Sequence, residues 1–270
     1  MPEGILAGTR AYWRQQGAGP RSVFFLHCTL GHSGAWKGVM SALGADYQMV
    51  AMDLPGHGRT GARDLSRTWQ TQSRDMALEL IEAGSTPVDL VGHSFGATVA
   101  LRLALERPDL VRSLILIESV FFSAAKDAKR PEFDAHMGAH LGFYDLLDKQ
   151  DKTGAARAFS NLWGGQVPFD SLSQAQRDYM ADRIEMIRAG GESLLGEGLD
   201  YIPLTRVAQI TAPVLLIEGS ETDPIVGAVH ASLDDVLPNS VRQIIDGGGH
   251  MVPISHPREV ANAMRAFFKI

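Results

Sequence analysis

The chain has 270 residues, 45% of them apolar, and its 25 Lys and Arg against 31 Asp and Glu leave a formal charge of −6. This length and apolar content support one large domain or two small ones with a substantial core and argue against disorder. An acidic chain without a Lys/Arg block lacks the footprint of a nucleic-acid binder or of a polybasic membrane anchor, and a single cysteine, Cys28, excludes an internal disulfide framework and a cysteine zinc site.

The first residues, from Met1 to Leu6, show no basic segment leading into an apolar stretch, and the apolar runs at 23–26 and 114–117 fall far short of the ~18 residues that span a bilayer. The expectation is a soluble, cytoplasmic protein, monomer or homodimer, whose partner is a small-molecule substrate, with no nucleic acid and no membrane.

In chain order, residues 4–15 read as an antiparallel hairpin at a sheet edge. Short apolar runs at 23–27, 48–52, 88–91, 114–117, 214–217 and 241–245 then read as strands buried on both faces. Segments with helical spacing separate them, at about 35–43, 68–83, 95–106, 226–236 and 257–268, and this alternation points to βαβ units and a mostly parallel, doubly wound α/β sheet. From 120 to 207 the rhythm breaks. Strand candidates vanish, charged and apolar residues mix at helical spacing, and glycine pairs such as Gly164-Gly165 and Gly190-Gly191 punctuate the stretch. This predicts a helical cap, 120–207, inserted into a core built from 1–119 and 208–270.

The chemistry centres on Gly92-His93-Ser94-Phe95-Gly96, where a predicted strand runs into G-x-S-x-G and then a helix. The pentapeptide alone is weak, since a serine N-cap on an ordinary helix would read the same way. A strand before it and a helix after it make it specific, because a sharp strand-to-helix turn is what exposes a serine hydroxyl as a nucleophile. A serine hydroxyl needs a base, and the base needs an orienting acid. Of nine histidines, His250 is the candidate base, on the Gly-rich loop after the last predicted strand. His57 and His256 read as surface or turn residues, and His27 and His93 as local packing or hydrogen-bonding groups near the site.

These features together resemble the α/β-hydrolase superfamily, in its serine-nucleophile branch with a helical cap, over nearly the whole chain. The residues carrying the resemblance are Leu26-His27-Cys28-Thr29, the Asp53-Leu54-Pro55-Gly56-His57-Gly58 turn, the Ser94 pentapeptide and Gly249-His250-Met251-Val252-Pro253. The resemblance implies the order Ser94, acid, His250. It places the acid after the strand preceding the histidine strand, at Asp223, although the spacing from Gly219 is one residue longer than the commonest pattern. Glu118, after the strand before the cap, is the alternative triad acid, and Glu221 a further one. An oxyanion hole is expected from the N–H groups of Phe95 and, by resemblance, Thr29. Cys28 stands where the family most often has glycine, and reads as a small apolar strand-end residue.

The expected activity is a serine hydrolase, carboxylesterase-like, acting through an acyl-enzyme on ester, lactone or thioester bonds of small, largely apolar substrates, with no metal or organic cofactor. The cap aromatics would mostly form cap core, with some facing the elbow as an apolar wall over the substrate. One alternative is hydrolysis of a carbon–carbon bond in a meta-cleavage product, which would need cations such as Arg183 or Arg188 to meet a dicarboxylate; another is a non-catalytic ligand-sensing receptor on the same fold.

Overall fold

The computed structural model describes residues 2–164 and 167–269; Met1 and Gly165, singled out above, lie outside them. Eight strands form one sheet: β1 (Glu3–Leu6), β2 (Thr9–Gln16), β3 (Arg21–Leu26), β4 (Tyr47–Met52), β5 (Val88–His93), β6 (Val111–Ile117), β7 (Val214–Gly219) and β8 (Ser240–Ile245). Their order is β1-β2-β4-β3-β5-β6-β7-β8. The β1/β2 and β2/β4 pairs are antiparallel, as expected of an edge hairpin, and all the others are parallel.

Alternation along each strand divides the core between the two faces of the sheet. On β3, Phe24 and Leu26 face one cluster and Val23 and Phe25 the other; on β6, Leu114 and Leu116 oppose Ile115 and Ile117; on β7, Val214 and Leu216 oppose Leu215 and Ile217. Helices Trp69–Glu82, Phe95–Glu106 and Pro224–Asp234 contribute to the first cluster, while Lys37–Leu43 and Pro257–Phe267 cover the second. Continuous apolar runs therefore arise because both faces are buried. β8 departs from that expectation. It is the last strand of the sheet, paired only with β7, and Val241 and Ile244 are solvent-exposed.

Between β6 and β7 the described chain is helical, from Phe122–Asp127 through Pro131–Asp148, Lys152–Trp163, Gln174–Arg183 and Glu185–Leu194 to Leu204–Val207. This cap has a small core of its own, around Phe143, Leu147, Phe169 and Ile184. Among the described residues no helix is long and apolar enough to cross a membrane.

Candidate active site

β5 ends in a turn that the backbone holds under strain. Ser94 has φ 55° and ψ −119°, a conformation that non-glycine residues rarely adopt and that costs on the order of 1–3 kcal/mol. It is fixed from both sides, since its N–H donates to the Ile117 carbonyl at 2.9 Å and its carbonyl accepts from Ala97 N–H at 3.0 Å. The flanking glycines make the turn sterically possible. A Cβ on Gly92 would lie 2.4 Å from Ala97 Cα, and one on Gly96 would lie 2.4 Å from the Leu26 carbonyl oxygen. Beneath the turn, the Phe95 ring stacks on Trp69 with centroids 3.8 Å apart, and Trp69 in turn stacks on His57 at 5.2 Å.

Glu118 occupies the equivalent place on the neighbouring strand. β5 and β6 pair His93 with Ile117, so Ser94 and Glu118 each stand one residue beyond the last paired position. Glu118 also has positive φ, 51°, and its N–H donates to the Ile217 carbonyl at 2.8 Å. Its side chain is fully buried, and donors meet both oxygens. Gly219 N–H donates to Oε1 at 2.7 Å; Thr222 Oγ1 donates to Oε2 at 2.5 Å; His250 Nδ1 lies 3.1 Å from Oε2.

The carboxylate that meets His250 is thus Glu118, the alternative, and not Asp223. Asp223 does not meet His250: its carboxylate caps the Pro224–Asp234 helix, accepting from Ile225 N–H at 3.0 Å, and His136 Nδ1 lies 4.0 Å from it. Proline at the first helical position commits Asp223 to the N-cap, and the hydroxyl of Thr222, one residue earlier, donates to the Glu118 carboxylate. Glu221 is exposed on the same turn, and its N–H donates to the Gly248 carbonyl at 2.8 Å.

Three other buried histidines hold loops in place. His93 Nε2 donates to the His250 carbonyl at 2.8 Å, tying the residue before Ser94 to the histidine loop. His27 accepts from Leu54 N–H at Nε2 and donates from Nδ1 to the Cys28 carbonyl, while His57 accepts from Leu30 N–H and donates to the Pro55 carbonyl. Burial pushes all three down to about 3, so their rings are neutral and serve as one donor and one acceptor each. His57 lies in a turn, as one of its two expected readings had it, but is completely buried and not at the surface; the Leu30 N–H and the Trp69 face provide its partners. The carbonyl of Cys28 is held by His27 and by Gly31 N–H, and the N–H of Leu30 by His57, which fixes the peptides on either side of Thr29. Cys28 itself is buried, and desolvation pushes its thiol up to about 12, consistent with a small apolar role.

Two cavities open at Ser94 and His250. The smaller, ≈ 60 Å³, lies between the core and the cap and is walled by Trp69, Phe122, Met137, Phe159, Trp163 and Leu194 among others; the larger, ≈ 870 Å³, runs past Cys28, His32, Tyr179 and Met251. Thr29, Phe159 and Trp163 border both. Trp163 packs edge-on against the His250 ring with centroids 4.5 Å apart. Of the cap aromatics, Phe122, Tyr144, Phe159, Trp163 and Tyr179 face these cavities, while Phe143 and Phe169 form cap core. Arg183 and Arg188 are engaged elsewhere, Arg183 on the Gly56 carbonyl and over the Tyr179 ring, Arg188 on Asp148. Sequence reasoning passed over His136 and His140, whose spacing of four on a helix puts them on one face toward the smaller cavity.

Residues 23–263 match the model of the alpha/beta hydrolase family, and the chain belongs to that family. Among curated proteins it is 29% identical, over 97% of its own length and 66% of the other's, to the dihydrolipoyllysine-residue acetyltransferase component of the acetoin cleaving system of Cupriavidus necator. It is 26% identical to the pimeloyl-[acyl-carrier protein] methyl ester esterase of Yersinia pseudotuberculosis, covering 95% of this chain and 96% of that one. A solved structure, a bromoperoxidase from Bacillus anthracis, superposes with a TM-score of 0.77 over 100% of both chains at 19% identity, which speaks to the fold alone.

Proposed function

We propose that the protein is a serine hydrolase of ester-type bonds in small, largely apolar substrates. The observation that carries this reading is the Glu118–His250 hydrogen bond at 3.1 Å, formed beside a serine on a strained turn. Ser94 Oγ attacks the substrate carbonyl carbon while His250 takes its proton, and Glu118 orients the ring and stabilises the imidazolium. The oxyanion is held by two backbone N–H groups. That of Phe95 opens a helix and has no intrahelical acceptor, and that of Thr29 sits on the loop that His27 and His57 lock. Collapse expels the alcohol or thiol, which leaves with the proton from His250. A water activated by His250 then releases the acid and restores Ser94.

The cavities support an apolar substrate, and among the described residues lining them there is neither Lys nor Arg. A dicarboxylate from ring cleavage would therefore meet no cation, which is why the ester reading stands ahead of carbon–carbon hydrolysis. Similarity to a methyl ester esterase agrees with it. The test is a fluorophosphonate adduct mapped to Ser94, together with turnover of a panel of p-nitrophenyl esters. Ser94→Ala should abolish labelling and lower kcat by roughly 10⁵–10⁶. Wild-type turnover by that variant would refute the mechanism, and labelling without turnover would favour a ligand-sensing role.

A further inference from the structure

The backbone at Glu118 is held by two successive N–H groups. Its own N–H donates to the Ile217 carbonyl, and the next, that of Ser119, donates to His230 Nε2 at 3.1 Å. Ser119 and His230 are both completely buried. A glutamate at φ 51° lies in a sparsely populated region and stays there only where its surroundings over-determine it. A buried acceptor aimed at the adjoining peptide is part of that constraint. The same bond fixes the ring. A main-chain N–H can only donate, so Nε2 carries no proton and the ring proton sits on Nδ1. Nδ1 lies 3.1 Å from Oε2 of Glu218, in a bent contact, and the other oxygen of Glu218 accepts from the Arg242 guanidinium at 2.6 Å. Burial alone would raise the Glu218 carboxyl; His230 and Arg242 outweigh it and hold it below the usual carboxylate range, so it is charged.

We propose that His230 is a positioning residue for the acid: with Nδ1 turned to Glu218, it presents Nε2 to the Ser119 N–H and locks the Glu118–Ser119 peptide in the conformation that delivers the Glu118 carboxylate to His250. The effect on rate rests on the reading of Ser94, His250 and Glu118 as the catalytic groups. Glu218 comes from β7, His230 from the Pro224–Asp234 helix and Arg242 from β8, so the elements that follow the cap in the chain meet behind the residue that precedes it. Without the ring, the buried Ser119 N–H loses its acceptor and the peptide is free to turn. Glu118 can then relax its backbone and draw its carboxylate away from His250 Nδ1.

Two amides separate the two contacts of the ring. The side-chain amide of asparagine ends level with Nδ1 of histidine, and that of glutamine level with Nε2. His230→Asn keeps a polar group facing Glu218 but leaves the Ser119 N–H bare. It should lower kcat on p-nitrophenyl butanoate roughly 10- to 100-fold, with KM changed by no more than about twofold. His230→Gln restores an acceptor to Ser119 and should recover most of the loss. In a Glu118→Gln background, where no charged acid remains to be positioned, His230→Asn should cost no more than about twofold further. Equal losses in the asparagine and glutamine variants, or an undiminished loss in the Glu118→Gln background, would show that the ring only fills the core and would overturn the assignment.

NMR supplies readouts that need no turnover. In the wild-type protein the imidazole ¹⁵N shifts of His230 should report a protonated Nδ1 and a bare Nε2; the opposite tautomer overturns the proposal whether or not any variant folds. The downfield proton of His250 Nδ1, bonded to Glu118, should move upfield in His230→Asn and return in His230→Gln. That behaviour without ester turnover upholds the positioning role and removes the hydrolase. Ester turnover with a His250 proton indifferent to both substitutions does the reverse.

Discussion

Glu118 and His250 stand 132 residues apart in sequence, yet the carboxylate oxygen Oε2 of one lies 3.1 Å from Nδ1 of the other. Strand register brings them together. Ile117 pairs with both His93 and Ile217, which sets the residue after β6 beside the serine turn on one side and the β7 loop on the other.

The first prediction separates the two carboxylates by rate. Glu118→Gln keeps the shape but removes the charge that stabilises the imidazolium, and should lower kcat on p-nitrophenyl butanoate by about 10³–10⁴. Asp223→Asn retains an N-capping oxygen, and should cost no more than about tenfold. Initial rates of the purified variants, with folding checked by circular dichroism, decide it; a larger loss in Asp223→Asn would move the acid back to that position.

The contrast shows where sequence reading reaches and where it stops. That Ser94 stands on a strand-to-helix turn and His250 on a loop after the last strand was legible because those signals are local, a pentapeptide between a strand and a helix and a run of glycines. The predicted helix at 95–106 matches Phe95–Glu106 because its flanks carry the elbow and a proline at 108. Which carboxylate meets the His250 ring was not legible, because Asp223, Glu118 and Glu221 all follow strands and the pairing of β6 with β7 is what brings Glu118 to it. The turn at His57 was legible but its burial was not, since the Leu30 N–H and the Trp69 ring that bury it come from elsewhere in the chain. On β8 the apolar pattern matched a buried strand, and nothing local marked it as the edge where Val241 and Ile244 face solvent.

Gly96 is where the serine turn should prove least tolerant. A methyl group there meets main-chain carbonyls of Leu26 and His27 at 2.4 and 2.6 Å, atoms of a central strand that cannot step aside. Gly96→Ala should destabilise the fold by roughly 1–3 kcal/mol or more. It should also shift the Phe95 N–H, reducing kcat more than KM. Urea midpoints and kinetics measure the two effects, and an unchanged midpoint would contradict the close approach.

Stability should fall steeply in mild acid. His27, His57 and His93 are held at about 3 when folded, against an ordinary 6.5. Between those values the unfolded chain binds protons that the native one does not, so stability is fully present above about pH 6.5 and is lost as pH falls toward 3. Each histidine contributes a slope of up to ~1.4 kcal/mol per pH unit in that window. Unfolding free energies by urea between pH 7 and 4.5 should show the combined slope, and His57→Gln should flatten it. A pH-independent midpoint across this range would show that these rings can charge in place.

Tyr179 fastens the cap to the core beside the larger cavity. Its hydroxyl donates to the Gly31 carbonyl at 3.0 Å and accepts from Gly58 N–H at 2.8 Å, joining one cap helix to the loops after β3 and β4. Arg183, one turn further along Gln174–Arg183, reinforces the join by reaching the Gly56 carbonyl at 3.1 Å. Removing one hydroxyl therefore leaves two main-chain groups without their partner, a loss of about 1–2 kcal/mol where water only partly replaces it. Tyr179→Phe should raise amide exchange across the Gln174–Arg183 helix and leave exchange in β5 and β6 as it was, because those strands are buried on both faces. It should also raise KM for esters with a bulky leaving group more than for methyl esters, since the larger cavity loses a wall that the smaller one does not share. Unchanged exchange in that helix would mean that the cap is held by its apolar contacts alone.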